Sequence, residues 1–261
     1  MKSLATVLTL TVCLAGAASA QQLFVALESD VPAYVSDLSG FPDVTWTPLW
    51  NFEASGAAAD EDGNLYLCAG AFTTHLYIST DLGMPEEVAM LSVDITGLAY
   101  AEGALYGYSN YADPKGIYEI DPVTGECTLV LDVYSGTGYR FFALDYNPED
   151  GLFYGWTEYG AYGLYSINIE TGEMIFLSNG PAGFYGMSRA LAVGNNTVYL
   201  AAVADVDPYY AYDLSQGPGG TWESFTNPYP GLQITGGATW IPGPVTPVGS
   251  TTWGGVKSLF R

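Results

Sequence analysis

The phrase "IYEIDPVTG" (117–125) returns as "LYSINIETG" (164–172), with its Tyr, Asx and Thr-Gly in register. Five copies of the phrase run along the chain, centred on Tyr34, Tyr77, Tyr118, Tyr165 and Tyr212, at steps of 43, 41, 47 and 47 residues. A second phrase, apolar and aromatic, precedes each copy: "QLFVA" at Phe24, "NLYLC" at Tyr66, "ALYGY" at Tyr106, "LFYGW" at Tyr154 and "TVYLA" at Tyr199. Its steps are 42, 40, 48 and 45 residues, so two independent anchors keep one period. A third phrase is short and built of small residues: "GAAAD" (56–60), "GLAY" (97–100), "ALDY" (143–146), "ALAV" (190–193) and "GATW" (237–240). The turns "EDGN", "AEGA", "NPEDG" and "GNN" follow the first four. Such turns join adjacent antiparallel strands.

A period near 45 residues with four short strands per period predicts an all-β fold. The expectation is a five-bladed β-propeller of four-stranded antiparallel blades. Small residues suit the inner strands, which crowd the axis. The Tyr and Phe of the middle strands suit packing between blades. The fifth small phrase, "GATW", has no partner strands after it, whereas "LFVAL", "AYVSDL" and "VTWTPLW" stand unclaimed at the N-terminal end. The last blade is therefore expected to close through strands from both ends of the chain, which leaves no free radial edge.

The first 20 residues read as a secretory signal peptide: Lys2, an apolar run, then Ala18-Ser19-Ala20. The expected product is secreted or surface-bound, with no membrane span. Residues 21–243 form the propeller, and 244–261 a linker and C-terminal tail. After cleavage the charge is about −23, from 5 basic and 28 acidic residues. That field disfavours nucleic acid and anionic membranes. Cys68 and Cys127 remain. One disulfide is permitted; free, buried thiols are the expectation.

The phrases "DEDGNLYLC" and "IYEIDPVTG" resemble those of secreted bacterial propellers of the NHL, YVTN and SMP-30-like neighbourhood. The resemblance spans about residues 21–243 and implies the fold. Members include lactonases, lyases and pure binding modules, and no catalytic motif of one family carries over. The tail "TTWGGVKSLFR" resembles short C-terminal tags of exported bacterial proteins.

Ligands of propellers usually meet the face made by the loops between second and third strands and by the segments leading into first strands. There the sequence places Tyr111, Trp156, Tyr159, Tyr162, Tyr209 and Tyr210 as ring platforms for a sugar or peptide. Blade packing is the alternative use of these rings. Asp94, Arg140 and Arg189 lead into first strands, and the two arginines lie at corresponding points of adjacent blades. They are read as a clamp for an anion, or as partners of Asp94, Asp145 or Glu158. Asp205 and Asp207, and also Asp60, Glu61 and Asp62, offer oxygen ligands of the type Ca²⁺ takes, though "DEDGN" is also an ordinary turn. No other cofactor is implied. Asp60 and Asp145 are the inward carboxylates that a glycosidase would use. The adopted reading is a monomeric, non-enzymatic propeller that binds a ligand, glycan or cell-surface partner through a face rich in Tyr and acids. A carbohydrate-active or lactonase-like enzyme, with carboxylates at the channel mouth, is the alternative.

Overall fold

The computed structural model describes residues 22–27, 29, 31–69, 74–159, 162–181, 190–201, 208–229 and 235–242, without the side chains of 39, 158 and 159. Residues 1–20, read from the sequence as a signal peptide, the tail after 242, Arg189, Asp205 and Asp207 lie outside the described residues.

Among the described residues, twenty strands form five separate four-stranded sheets. The first three, β1 (Gln22–Leu27), β2 (Pro32–Asp37) and β3 (Thr45–Asn51), join the last, β20 (Thr235–Ile241), in the order β20-β1-β2-β3. We number this blade 1. Blade 2 is β4 (Gly56–Ala59), β5 (Leu65–Ala69), β6 (His75–Ser79) and β7 (Glu86–Met90). Blade 3 is β8 (Gly97–Ala101), β9 (Ala104–Ser109), β10 (Gly116–Ile120) and β11 (Cys127–Asp132). A single helical turn, α1 (Tyr134–Thr137), leads to blade 4: β12 (Arg140–Asn147), β13 (Leu152–Tyr159), β14 (Gly163–Ile167) and β15 (Met174–Ser178). Blade 5 is β16 (Ala190–Gly194), β17 (Thr197–Ala201), β18 (Tyr209–Asp213) and β19 (Trp222–Phe225).

The closure is the one the repeats imply. Leu23 pairs with Trp240 and Ala26 with Gly237, antiparallel. The repeat phrases also hold register in space. The second-strand aromatics Phe24, Tyr66, Tyr106, Tyr154 and Tyr199 face Thr239, Ala58, Ala99, Asp145 and Ala192 of their first strands.

Small inner residues let the first strands approach. A Cβ on Gly97 would lie 3.0 Å from the Leu144 backbone nitrogen, so only glycine fits there without displacing β12. Around the axis, Leu98, Leu144 and Leu191 leave a void too narrow for a water molecule. The two mouths of the ring are thus separated by a dry waist. Between blades, the middle-strand rings supply the packing. Tyr66 stacks on Tyr100 of the next blade, with centroids 5.9 Å apart, and Tyr199 stacks on Trp240 at 5.5 Å. Cys68 is buried, Cys127 half-buried, and they are not bonded to each other. Among the described residues no helix is long and apolar enough to cross a membrane.

Candidate functional site

All five first strands run the same way, so each mouth of the ring collects one kind of end. Among the described residues singled out from the sequence, Asp94, Arg140 and the ring platforms belong to the mouth where first strands begin. Asp94 is half-buried in the connection before β8, and Arg140 opens β12 opposite Tyr159. Tyr111 and Tyr162 are 44% and 57% exposed. Tyr210 is half-buried against the hydrophobic cluster of blades 4 and 5. Two of the rings are enclosed. Trp156 lies in that same cluster, edge-on to Trp222 at 6.4 Å. Tyr209 is fully buried, its hydroxyl hydrogen-bonded to Thr235 Oγ1 at 3.1 Å and its ring edge-on to Trp46. Both serve blade packing and offer no face to a ligand. Asp145 lies five residues along β12 from Arg140, at the other mouth, and is not its partner.

That other mouth, where first strands end, holds a cleft of about 180 Å³. Its wall is the fourth residue of each small phrase: Ala59, Tyr100, Tyr146, Val193 and Trp240. One position of the repeat thus occurs five times around the opening. Asp60, Glu61, Glu102 and Asp145 are its acids, and among the described residues no Lys, Arg or His lines it. Trp240 can lie flat beside β16 because residue 194 is glycine; a Cβ there would meet the indole at 2.0 Å.

The four acids are not equivalent. Asp60 is committed to its turn: Oδ1 accepts the N–H groups of Asp62 (3.0 Å) and Asn64 (2.8 Å), and Oδ2 accepts Asn64 Nδ2 (2.8 Å). This Asx arrangement explains "DEDGN" as a turn. Asp145 is 5% exposed. Oδ1 accepts the N–H of Tyr146 at 2.9 Å, and Oδ2 that of Val193, in the next blade, at 2.7 Å. Burial pushes its carboxyl well above the usual carboxylate range, against the pull of these two bonds. Glu61 and Glu102 are exposed at the rim. Glu102 accepts a hydrogen bond from the Tyr146 hydroxyl at 3.2 Å. Burial and this neighbouring carboxylate both raise the Tyr146 phenol.

The Glu102–Tyr146 pair also borders a second hollow of about 350 Å³, between blades 3 and 4, where Asp150 and Glu170 add further acid. The Tyr66 and Tyr100 phenols are raised by burial first and by Asp60 next, so every ring here stays neutral at physiological pH. No group of three metal-ligating side chains occurs among the described residues.

Of this cleft the sequence reading named the carboxylates Asp60 and Asp145 but not the aromatic wall. The signal for that wall lay in the fourth residue of each small phrase, aromatic in three of five copies, while the sequence reading assigned those phrases to crowding at the axis.

No protein-family model matches the chain, and no curated protein does. Solved structures do. A Bacteroides thetaiotaomicron protein of unknown function aligns with TM-score 0.50 at 16% identity, over 82% of this chain. The chain spans 64% of the length of that structure. TolB from Acinetobacter baumannii aligns with TM-score 0.52 at 11% identity, over 86% of this chain and 67% of its own. At such identities the likeness shows the propeller fold alone.

Proposed function

We propose that the protein is an exported, non-enzymatic propeller that binds a ligand through the acidic, aromatic cleft where its first strands end. The observation that carries this is the composition of the wall: carboxylates and aromatic rings, with no basic residue among the described ones. Such a wall suits an ammonium or guanidinium group. Rings attract a cation through their faces, and a rim carboxylate completes the pair. The size fits a single side-chain head or a small amine. A neutral sugar stacking on Trp240 is the competing ligand. An enzyme reading draws on Asp145, a buried carboxyl with a raised pKa beside a second carboxylate, Asp60. Against it, both oxygens of each are held by hydrogen bonds within the protein.

Calorimetric titration with arginine amide, tetramethylammonium and a panel of oligosaccharides separates the cases. Saturable binding of the cations, weakened about tenfold or more by Glu102→Gln or Trp240→Leu, is the expected result. Binding of sugars alone moves the reading to carbohydrate. Turnover of an oligosaccharide or lactone that Asp145→Asn abolishes overturns the non-enzymatic reading.

A further inference from the structure

Charge is divided unevenly along this chain. All 28 acidic residues lie between positions 21 and 242. The segment 243–261 holds two basic residues, Lys257 and Arg261, and no acid. It also starts at the acidic cleft. β20 is a first strand, so it runs toward the mouth where that cleft opens, and Trp240 and Pro242 at its end form part of the wall. Residues 243–261 lie outside the described ones, yet the bond from Pro242 ties them to the rim.

The two parts are complementary in chemistry. Glu61 and Glu102 are exposed at the rim, free of the turn that engages Asp60. The hollow of about 350 Å³ beyond Glu102 and Tyr146 adds Asp150 and Glu170. Two acidic hollows therefore lie side by side, and the tail brings two cations four residues apart. The other basic residues after position 20 are placed elsewhere. Lys115 and Arg140 stand over Tyr134 at the opposite mouth, and Arg189 immediately precedes β16 in the chain. Reach is ample. Lys257 stands 15 residues beyond Pro242, a span of at most about 50 Å when extended. A tether of that length holds the tail at a local concentration on the order of millimolar. Weak recognition of a single cationic head is then enough to keep the cleft partly filled.

We propose that the cleft's own occupant is the tail of the same chain, with Lys257 or Arg261 seated against the aromatic wall and paired with the rim carboxylates. This rests on the affinity for ammonium and guanidinium groups proposed above, and adds that the tail competes with any ligand from outside. The rings attract the cationic head through their faces, and the carboxylates fix it at the rim.

The test is calorimetric titration of two forms of the full chain, the wild type and the double variant Lys257→Gln, Arg261→Gln. Arginine amide binds the double variant about threefold more tightly than the wild type, because the tail no longer competes. The melting temperatures of the two forms agree within about 2 °C. The peptide TTWGGVKSLFR, residues 251–261, binds the double variant. Glu102→Gln or Trp240→Leu, added to the double variant, weakens that binding about tenfold. Equal affinity of the two forms for arginine amide, or no binding of the peptide, overturns this proposal while leaving the cation reading of the cleft in place. No saturable binding of arginine amide by either form overturns both. A wild type that sediments as a dimer, with a double variant that sediments as a monomer, puts the tail in the cleft of a second copy and overturns the contact within one chain.

Discussion

Asp145 occupies a position at which the other four first strands carry Ala58, Ala99, Ala192 and Thr239. A carboxyl there sits where the repeat otherwise puts a methyl group or a hydroxyl. Its bond to the Val193 N–H joins blade 4 to blade 5 at the wall of the cleft. Because burial raises its pKa, the folded state holds the proton more tightly than the unfolded state does. The stability it contributes is therefore complete below the unfolded value of about 3.9, and is lost as pH rises through the folded value. Asp121, Asp132 and Asp213 act in the opposite sense. Hydrogen bonds from their turns lower them, so their contribution is lost as pH falls below the ordinary carboxylate range. The two windows do not overlap. Urea midpoints for the wild type should decline from about pH 4 upward, and Asp145→Asn should flatten that decline. At pH 4 the substitution should cost about 1–3 kcal/mol, since an amide NH₂ would face a backbone donor. An unchanged slope in Asp145→Asn would show that another group titrates.

Among the elements, the first strands carry the closest tolerances. A Cβ on Gly97 would lie 3.0–3.3 Å from the backbone of Ala143 and Leu144, and a backbone cannot swing aside as a side chain can. Gly97→Ala should destabilise by about 1–3 kcal/mol. Gly136, in α1, has nothing within 4 Å of such a Cβ and no positive φ. Gly136→Ala should be neutral or stabilise by up to about 1 kcal/mol, through the lower entropy of the unfolded chain. Equal effects in the two variants would remove the close-approach argument. The same strands show what the sequence could and could not tell. The Tyr of "IYEIDPVTG" and its four counterparts all lie on third strands, because the period records a geometry each blade must repeat. "GATW" pointed to closure because a strand without neighbours must find them elsewhere. The cleft was hidden for a different reason. Tyr100, Tyr146 and Trp240 are far apart in the chain and meet only once the ring is closed. Nor could composition tell Tyr209, whose ring is enclosed, from Tyr111, whose ring is exposed.

At the scale of the whole molecule, one blade is unlike the rest. Blades 2 to 5 each come from a continuous stretch of chain, whereas blade 1 joins β1, β2 and β3 to β20. The ladder runs from Gln22 opposite Ile241 to Leu27 opposite Thr235. Opening the ring requires breaking that pairing as well as the contacts between blades. The propeller is complete by Ile241, so removing 244–261 should leave the melting temperature unchanged; a large fall would make the tail part of the fold. A circular permutant tests the clasp itself. Gln22 and Ile241 are direct antiparallel partners, so a short turn can join them without disturbing β1 or β20. New ends placed between β3 and β4, near Glu53, would make every blade continuous. The five sheets and their contacts would be kept, and only the tie between the two ends of the ring would be lost. The permutant should fold to the same circular dichroism spectrum, yet unfold in denaturant about tenfold faster or more, about 1.4 kcal/mol in the barrier. Stopped-flow unfolding of the two forms gives the comparison. Equal unfolding rates would mean that contacts between blades, led by the Tyr66–Tyr100 and Tyr199–Trp240 stacks, hold the ring closed without help from the shared blade.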